Sequence, residues 1–140
     1  MVLNDSLIKV RIESTKIQLT KSVFPRDTNH HDTMFGGSVM YLMNEVAFMT
    51  ATRFSRKTLV TVSSNKISFE NPIPAGTIIQ INGEVCRIGK TSIDIKVEVI
   101  LESMYQDVKN KVIEGIFTLV AINENKRPIN ILDRITYETI

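Results

Sequence analysis

Ile17, Leu19 and Val23 alternate with polar residues through residues 16–23, the period-two pattern of a strand with one covered face. Pro25 ends that run, and the loop to Phe35 is rich in Asp, Asn and Thr, as turn chemistry prefers. From Gly37 to about Phe54 the pattern changes. Val39, Met40, Leu42, Met43, Val46, Ala47, Phe48, Met49 and Ala51 fall all round a helical wheel. This predicts a helix of roughly 27 Å, at 1.5 Å per residue, buried on nearly every side. Arg53, Arg56 and Lys57 suit its C-terminal end, where cations complement the dipole.

Four more alternating segments follow, at residues 59–69, 77–88, 92–103 and 112–123. The cleanest is the third, with Ile93, Ile95, Val97, Val99 and Leu101 on one face. Gly89-Lys90 reads as the tight turn of a hairpin, and the run NPIPAG at 71–76 breaks the chain between the first two of the four. The order strand, long helix, four strands predicts one α+β domain over residues 1–140. An antiparallel sheet wraps the helix in the hotdog arrangement, with a core of about 11–128 and a tail from 129. Residues 133–140 have no reading beyond surface or assembly contacts. One such sheet leaves open edges, and pairing with a second copy would hide them.

The 140 residues, 43% apolar and 23% charged, suit one ordinary globular core. A formal net charge of +2 gives no global basic field, so nucleic acid is not an expected partner. The N-terminus lacks a basic segment followed by an apolar one, so no signal peptide is read there. No apolar run reaches the ~18 residues of a membrane span. The single Cys86 excludes an internal disulfide and fits a reducing, cytoplasmic setting. It reads as a small strand residue rather than a nucleophile. No metal-ligand spacing and no phosphate-binding glycine loop occur.

The densest chemistry lies in residues 24–45, FPRDTNHHDTMFGGSVMYLMNE. A polar run leads into Gly36-Gly37, which open the apolar segment, and that segment's first polar couple is Asn44-Glu45. A helix starting at the glycines would aim unpaired N–H groups and the positive end of its dipole at whatever precedes it. Such an end can polarise a carbonyl oxygen. Gly37 and Asn44, seven residues apart, lie within about 20° on one helix face and ~10 Å apart along it.

DTNHHDTMFGGSVMYLMNEVA, LVTVSSNKISFENPIPAGT, RIGKTSIDIKVEV and GIFTLVAINENKRP together resemble the acyl-CoA thioesterases of the hotdog fold, in particular the short bacterial YciA-type enzymes and the cytosolic acyl-CoA hydrolases of animals. The likeness runs from about Gln18 to Pro128. It implies hydrolysis of acyl-CoA to CoA and a free acid, without a metal or organic cofactor. It also implies sites between the protomers of a homodimer, usually three dimers to a hexamer. By the same resemblance Asn29 orients the thioester or the attacking water, and Thr61 matches a threonine that supports the helix carboxylate of the family, at position 44 here, or the water. The Gly36 and Gly37 amides would polarise the thioester carbonyl. The turn Gly89, Lys90, Thr91, Ser92 would lie along CoA, with His30 grouped among the CoA-facing residues.

One position departs from that pattern. Family helices usually carry Met-Asp-Glu or Ile-Asp-Glu where this chain has Met43-Asn44-Glu45. An amide can hold a water but cannot take its proton at neutral pH, and general-base assistance is worth roughly 10²–10⁴-fold. Glu45 is the nearest replacement base, yet it projects 100° round the helix. Three readings stay open: a variant engineered to trap ligand, a slow natural enzyme using Glu45 or solvent hydroxide, and a non-hydrolytic acyl-CoA binder. The 14-residue spacing of His31 and Glu45 also matches hotdog hydroxyacyl-thioester dehydratases, although the proline-rich segment between that pair is missing.

Overall fold

The structure is a computed structural model that describes residues 5–132. Helix α1 (Asp5–Ser14) leads into strand β1 (Ile17–Val23) and a 3-10 turn (Pro25–Asp27). Helix α2 (Gly36–Ser55) follows, then β2 (Leu59–Phe69), β3 (Thr77–Ile88), β4 (Ser92–Ser103) and β5 (Lys109–Ala121). The five strands form one antiparallel sheet in the order β1-β3-β4-β5-β2, which leaves β1 and β2 as its edges.

Alternation sorts the strands' side chains. Ile79, Ile81, Ile93, Ile95, Val97, Val99, Ile113, Phe117 and Leu119 are buried on the face that meets α2. The opposite face carries charge, with Lys96 Nζ 3.1 Å from Glu98 and 3.8 Å from Glu114. A sheet with one covered face and one wet face is the usual antiparallel solution. The helix lies close over Gly83 of β3. A Cβ there would lie 2.5 Å from Thr50 Oγ1 and 2.7 Å from a Val46 methyl. Thr50 is itself fully buried and donates to Val46 O at 2.7 Å, so its hydroxyl is satisfied against its own helix.

Helix α2 is buried on one side only, contrary to the all-round burial expected from the wheel. Val39, Met43, Val46, Ala47, Thr50, Ala51 and Phe54 face the sheet. Gly37, Tyr41, Asn44 and Phe48 share a strip about 60° wide that faces outward; Tyr41 is 70% and Phe48 46% exposed. The strip carries apolar residues of its own, which is why the wheel looked apolar throughout.

Helix α1 was not read from the sequence. Its first turn is acidic, but it has little amphipathic pattern, so periodicity carried no signal. Ile12 packs against the core, and Arg11, 8% exposed, donates from Nε to Phe54 O and from Nη2 to Arg53 O, each at 3.0 Å. Those are carbonyls that a helix end leaves without partners. The cation bonded to them therefore comes from α1, whereas Arg53, expected there for the dipole, donates to Lys16 O at 3.3 Å. Burial, aided by nearby Arg56, lowers the Arg11 pKa from its ordinary value. At the other end of the chain Ile131, placed in the tail by the sequence, is fully buried, and its N–H donates to Lys90 O. Residues 133–140 lie outside the described residues. The last strand also begins three residues earlier than alternation suggested.

Because Gly83 sets the height of α2 above the sheet, Gly83→Ala is expected to destabilise the fold by about 1–3 kcal/mol through overpacking. The check is a lower denaturant midpoint at unchanged slope.

Candidate active site

The N-terminus of α2 is open. Its cap residue Phe35 offers no side-chain acceptor, and the first turn has no acidic residue. The Ser38 and Val39 N–H groups return to Phe35 O, at 3.0 and 3.1 Å. Among the described residues nothing accepts from the Gly36 and Gly37 N–H groups, and a Cβ at either position would meet nothing within 4 Å. These glycines solve no packing problem within the chain; they leave backbone amides bare at the positive end of a 20-residue helix dipole.

Two turns further along the same strip stands Asn44. Thr61, early on edge strand β2, donates from Oγ1 to Asn44 Oδ1 at 3.2 Å. The bond orients the amide: its oxygen is engaged by Thr61, which leaves the NH2 group to face outward as a donor. Both residues are exposed, and exposed apolar side chains flank Asn44 on the same strip: Tyr41 and Phe48. Glu45 is exposed as well and forms no salt bridge among the described residues.

Asn29 lies in the loop before α2 and organises that loop. Its Oδ1 accepts from His31 N (2.8 Å), Thr33 N (3.3 Å) and Thr33 Oγ1 (3.2 Å). Thr33 O in turn accepts from Asn29 N at 2.8 Å. Asn29 thus closes an Asx turn, and its side-chain NH2 is still free to donate. His30 and His31 are exposed and pack ring to ring at 3.9 Å between centroids. No bond links His31 to Glu45 among the described residues.

The turn at Gly89, Lys90, Thr91 and Ser92 is closed by Gly89 N–H donating to Ser92 O at 2.7 Å. It belongs to the same end of the sheet as Thr61. Thr61 pairs with Leu119, and Leu119 with Ile93, so the turn begins two strand spacings away, or about 10 Å. A clamp that sequence reading did not find holds it. Arg87 bonds Asp94 (Nε–Oδ2 2.7 Å) and Ser92 Oγ (3.0 Å), while Thr118 Oγ1 donates to Asp94 at 2.7 Å. Burial pushes the Asp94 carboxyl up, but the Arg87 and Thr118 bonds outweigh it and hold the group below the ordinary carboxylate range. Its only sequence signal was Arg87 and Asp94 paired across a hairpin, visible once the register is known. Adjoining the turn, Arg56, Lys57 and Lys126 line an open cleft of about 700 Å³.

Cys86 sits at a β-bulge, with Sγ 3.4 Å from Asp94 O. Partial burial, together with the Asp94 carboxylate, pushes its thiol up, away from nucleophilic use. No group of three or more His, Cys, Asp or Glu residues among those described is arranged to hold a metal ion.

Among the described residues, then, Asn44 and Thr61 are bonded to one another, and no hydrogen bond joins them to Asn29, the helix-start amides or the Gly89–Ser92 turn.

The thioesterase superfamily profile matches residues 31–107. An acyl-CoA thioester hydrolase of Bacillus subtilis is 31% identical over 127 residues, which span 91% of this chain and 73% of that protein. Among solved structures, an acyl-CoA hydrolase of Staphylococcus aureus, determined with butyryl-CoA and CoA, superposes at TM-score 0.81 and 29% identity. The match covers 91% of this chain and 83% of that one. A hexameric acyl-CoA thioesterase superposes at 0.82 with 28% identity, covering 91% and 87%. The Staphylococcus aureus enzyme has also been solved with one asparagine, one aspartate and one threonine each replaced by alanine. Those three follow one another at the spacing that separates Asn29, Asn44 and Thr61 here.

Proposed function

Because the chain belongs to the thioesterase superfamily, we propose that it hydrolyses acyl-CoA to free CoA and a carboxylic acid, at a site completed by a second copy of itself. The observation that carries this reading is the Thr61–Asn44 hydrogen bond, set two turns below uncapped helix amides on an exposed strip. It is a held polar group on the same helix face as an electrophile binder. The spacing shared with the residues replaced in the Staphylococcus aureus enzyme supports the same assignment.

In this reading the Gly36 and Gly37 N–H groups bind the thioester oxygen. They favour the charge that develops there when water attacks, which is worth most in a site closed to solvent. Asn29 donates from its free NH2 to the thioester or the water, and Asn44, held by Thr61, positions the water. The Gly89–Ser92 turn runs along CoA, with Lys90 and the neighbouring cations meeting its phosphates as point charges; His30 lies at the loop side of that path. No metal or organic cofactor takes part. No helix among the described residues is long and apolar enough to cross a membrane, and a reducing cytoplasmic setting suits the lone Cys86.

The scattered pieces argue for the second copy. Strand β2 is an edge with unpaired backbone groups. Beside it Tyr41 and Phe48 are exposed apolar residues on the helix strip that carries Asn44, of the kind that marks an interface. Pairing there would bring Asn29 of one protomer to Asn44 of its partner, and three such dimers would build a hexamer. Phe48→Glu is expected to shift the protein toward monomer in analytical ultracentrifugation, with activity lost in parallel. A monomer retaining full turnover would refute the shared site.

Asn44 favours one competing reading, an acyl-CoA binder that does not hydrolyse. In Asn44→Asp one carboxylate oxygen would keep the Thr61 bond, and the other would replace the outward NH2 as a proton acceptor. Thiol release from acyl-CoAs should then rise by roughly 10²–10⁴-fold, the usual value of a general base. Glu45→Gln should leave turnover of the parent sequence within about twofold, since Glu45 points 100° away; a collapse in that variant would move the base to Glu45. Tight CoA binding with no thiol release in any form would establish the binder. A dehydratase would instead process hydroxyacyl thioesters in a His31-dependent way.

A further inference from the structure

Beside the start of α2, on the side away from Thr61, runs a groove of about 350 Å³. Its helix wall is Gly37, Tyr41 and Leu42, Met34 contributes from the loop, and the facing wall is Lys21 of β1 with Asp27 of the 3-10 turn. The volume lies within the range of small-molecule sites, about 300–1,000 Å³. Gly37 is shared by this groove and the site described above. β1 and β2 are opposite edges of the sheet, so a ligand whose carbonyl sits at the Gly37 amide has two ways to extend. One leads along Asn44 toward β2 and Thr61; the other leads into this groove.

The groove's far wall is not apolar. Lys21 Nζ bonds Asp27 Oδ2 at 3.1 Å and Ser22 O at 3.2 Å, and Asp27 Oδ2 also accepts from Phe24 N at 2.9 Å. The two side chains remain 31% and 20% exposed, so the pair still relies on water. The Phe24 and Lys21 bonds lower the Asp27 pKa, which favours its carboxylate form. An alkyl chain pressed against such a pair strips its remaining water and returns no hydrogen bond, and the loss offsets the gain from burying further methylenes.

We propose that this groove takes the acyl chain and that the Lys21–Asp27 pair ends it, restricting the protein to short-chain acyl thioesters. The assignment rests on the acyl-CoA reading above and adds to it which acyl groups are accepted and which residue decides. Lys21 and Asp27 neutralise one another, so the wall does not select a chain ending in a carboxylate. It sets a length.

The test uses calorimetric binding of non-hydrolysable thioether analogues of CoA carrying butyl, octyl and dodecyl groups, together with CoA alone. For the parent protein, affinity should rise little or fall beyond the shortest chain. Lys21→Met combined with Asp27→Asn keeps both stem lengths and removes both charges; it should raise the dodecyl-to-butyl affinity ratio at least tenfold while leaving the Kd for CoA alone unchanged. Leu42→Phe narrows the groove from the helix side and should move the ratio the opposite way. An unchanged ratio in both variants, with thermal unfolding showing both folded, would overturn the assignment of the groove. A parent that already prefers the dodecyl analogue would overturn the length limit. Failure of CoA itself to bind would instead sink the acyl-CoA reading on which the proposal stands.

Discussion

A 20-residue helix laid on a five-stranded sheet can give that sheet only one of its sides, and the arrangement depends on how that division is made. Gly83 brings the backbone of β3 against Val46 and Thr50, so the sheet-facing side of α2 is held too close to accept even one further methyl group. With the helix fixed in rotation and height, its outward strip is fixed too: bare amides at Gly37, then Tyr41, the Thr61-bonded Asn44, and Phe48. The core therefore positions the chemistry. Dense packing on one side is what permits an exact arrangement of unsatisfied groups on the other.

Those unsatisfied groups share a character. An open helix start, an unpaired edge strand and an exposed apolar patch are each costly in a protein that works alone. Here they adjoin one another. In the proposed reading their combined cost would be relieved by the same event, the approach of a partner, and the ligand would then lie between two surfaces that neither chain closes by itself. The relatives fit that economy, one of them being described as hexameric.

Much of this was readable from residue order because strands alternate and turns have chemical signatures. The bounds of β2, β3 and β4 follow directly from alternation between Leu59 and Ser103. What the pattern concealed was direction. A wheel records that Tyr41 and Phe48 are apolar but not that they face away from the sheet, since an interface strip and a core strip use the same residues. Helix α1 escaped for the converse reason: its buried residue is an arginine reaching carbonyls more than forty residues later, a tie that no local periodicity encodes. Within the site, Asn44 and Thr61 were legible as neighbours through resemblance, and the structure supplies their bond. The Arg87–Asp94–Thr118 clamp and the Lys21–Asp27 wall depend on register across strands, and so became visible only in the folded sheet.

Strand order has a further consequence, for the sequence of events in folding. β3, β4 and β5 are consecutive and joined by short turns, so their meander assembles from neighbours along the chain. β1 must wait for β3, and β2 for β5, each partner lying beyond a long intervening stretch. Pairings that close large loops form late and slow the overall rate. The margins that carry Lys21 and Thr61 would thus be the last to zip and the first to fray, so that transient local opening, of the sort amide hydrogen exchange reports, would concentrate where ligand enters while the central meander stays shut.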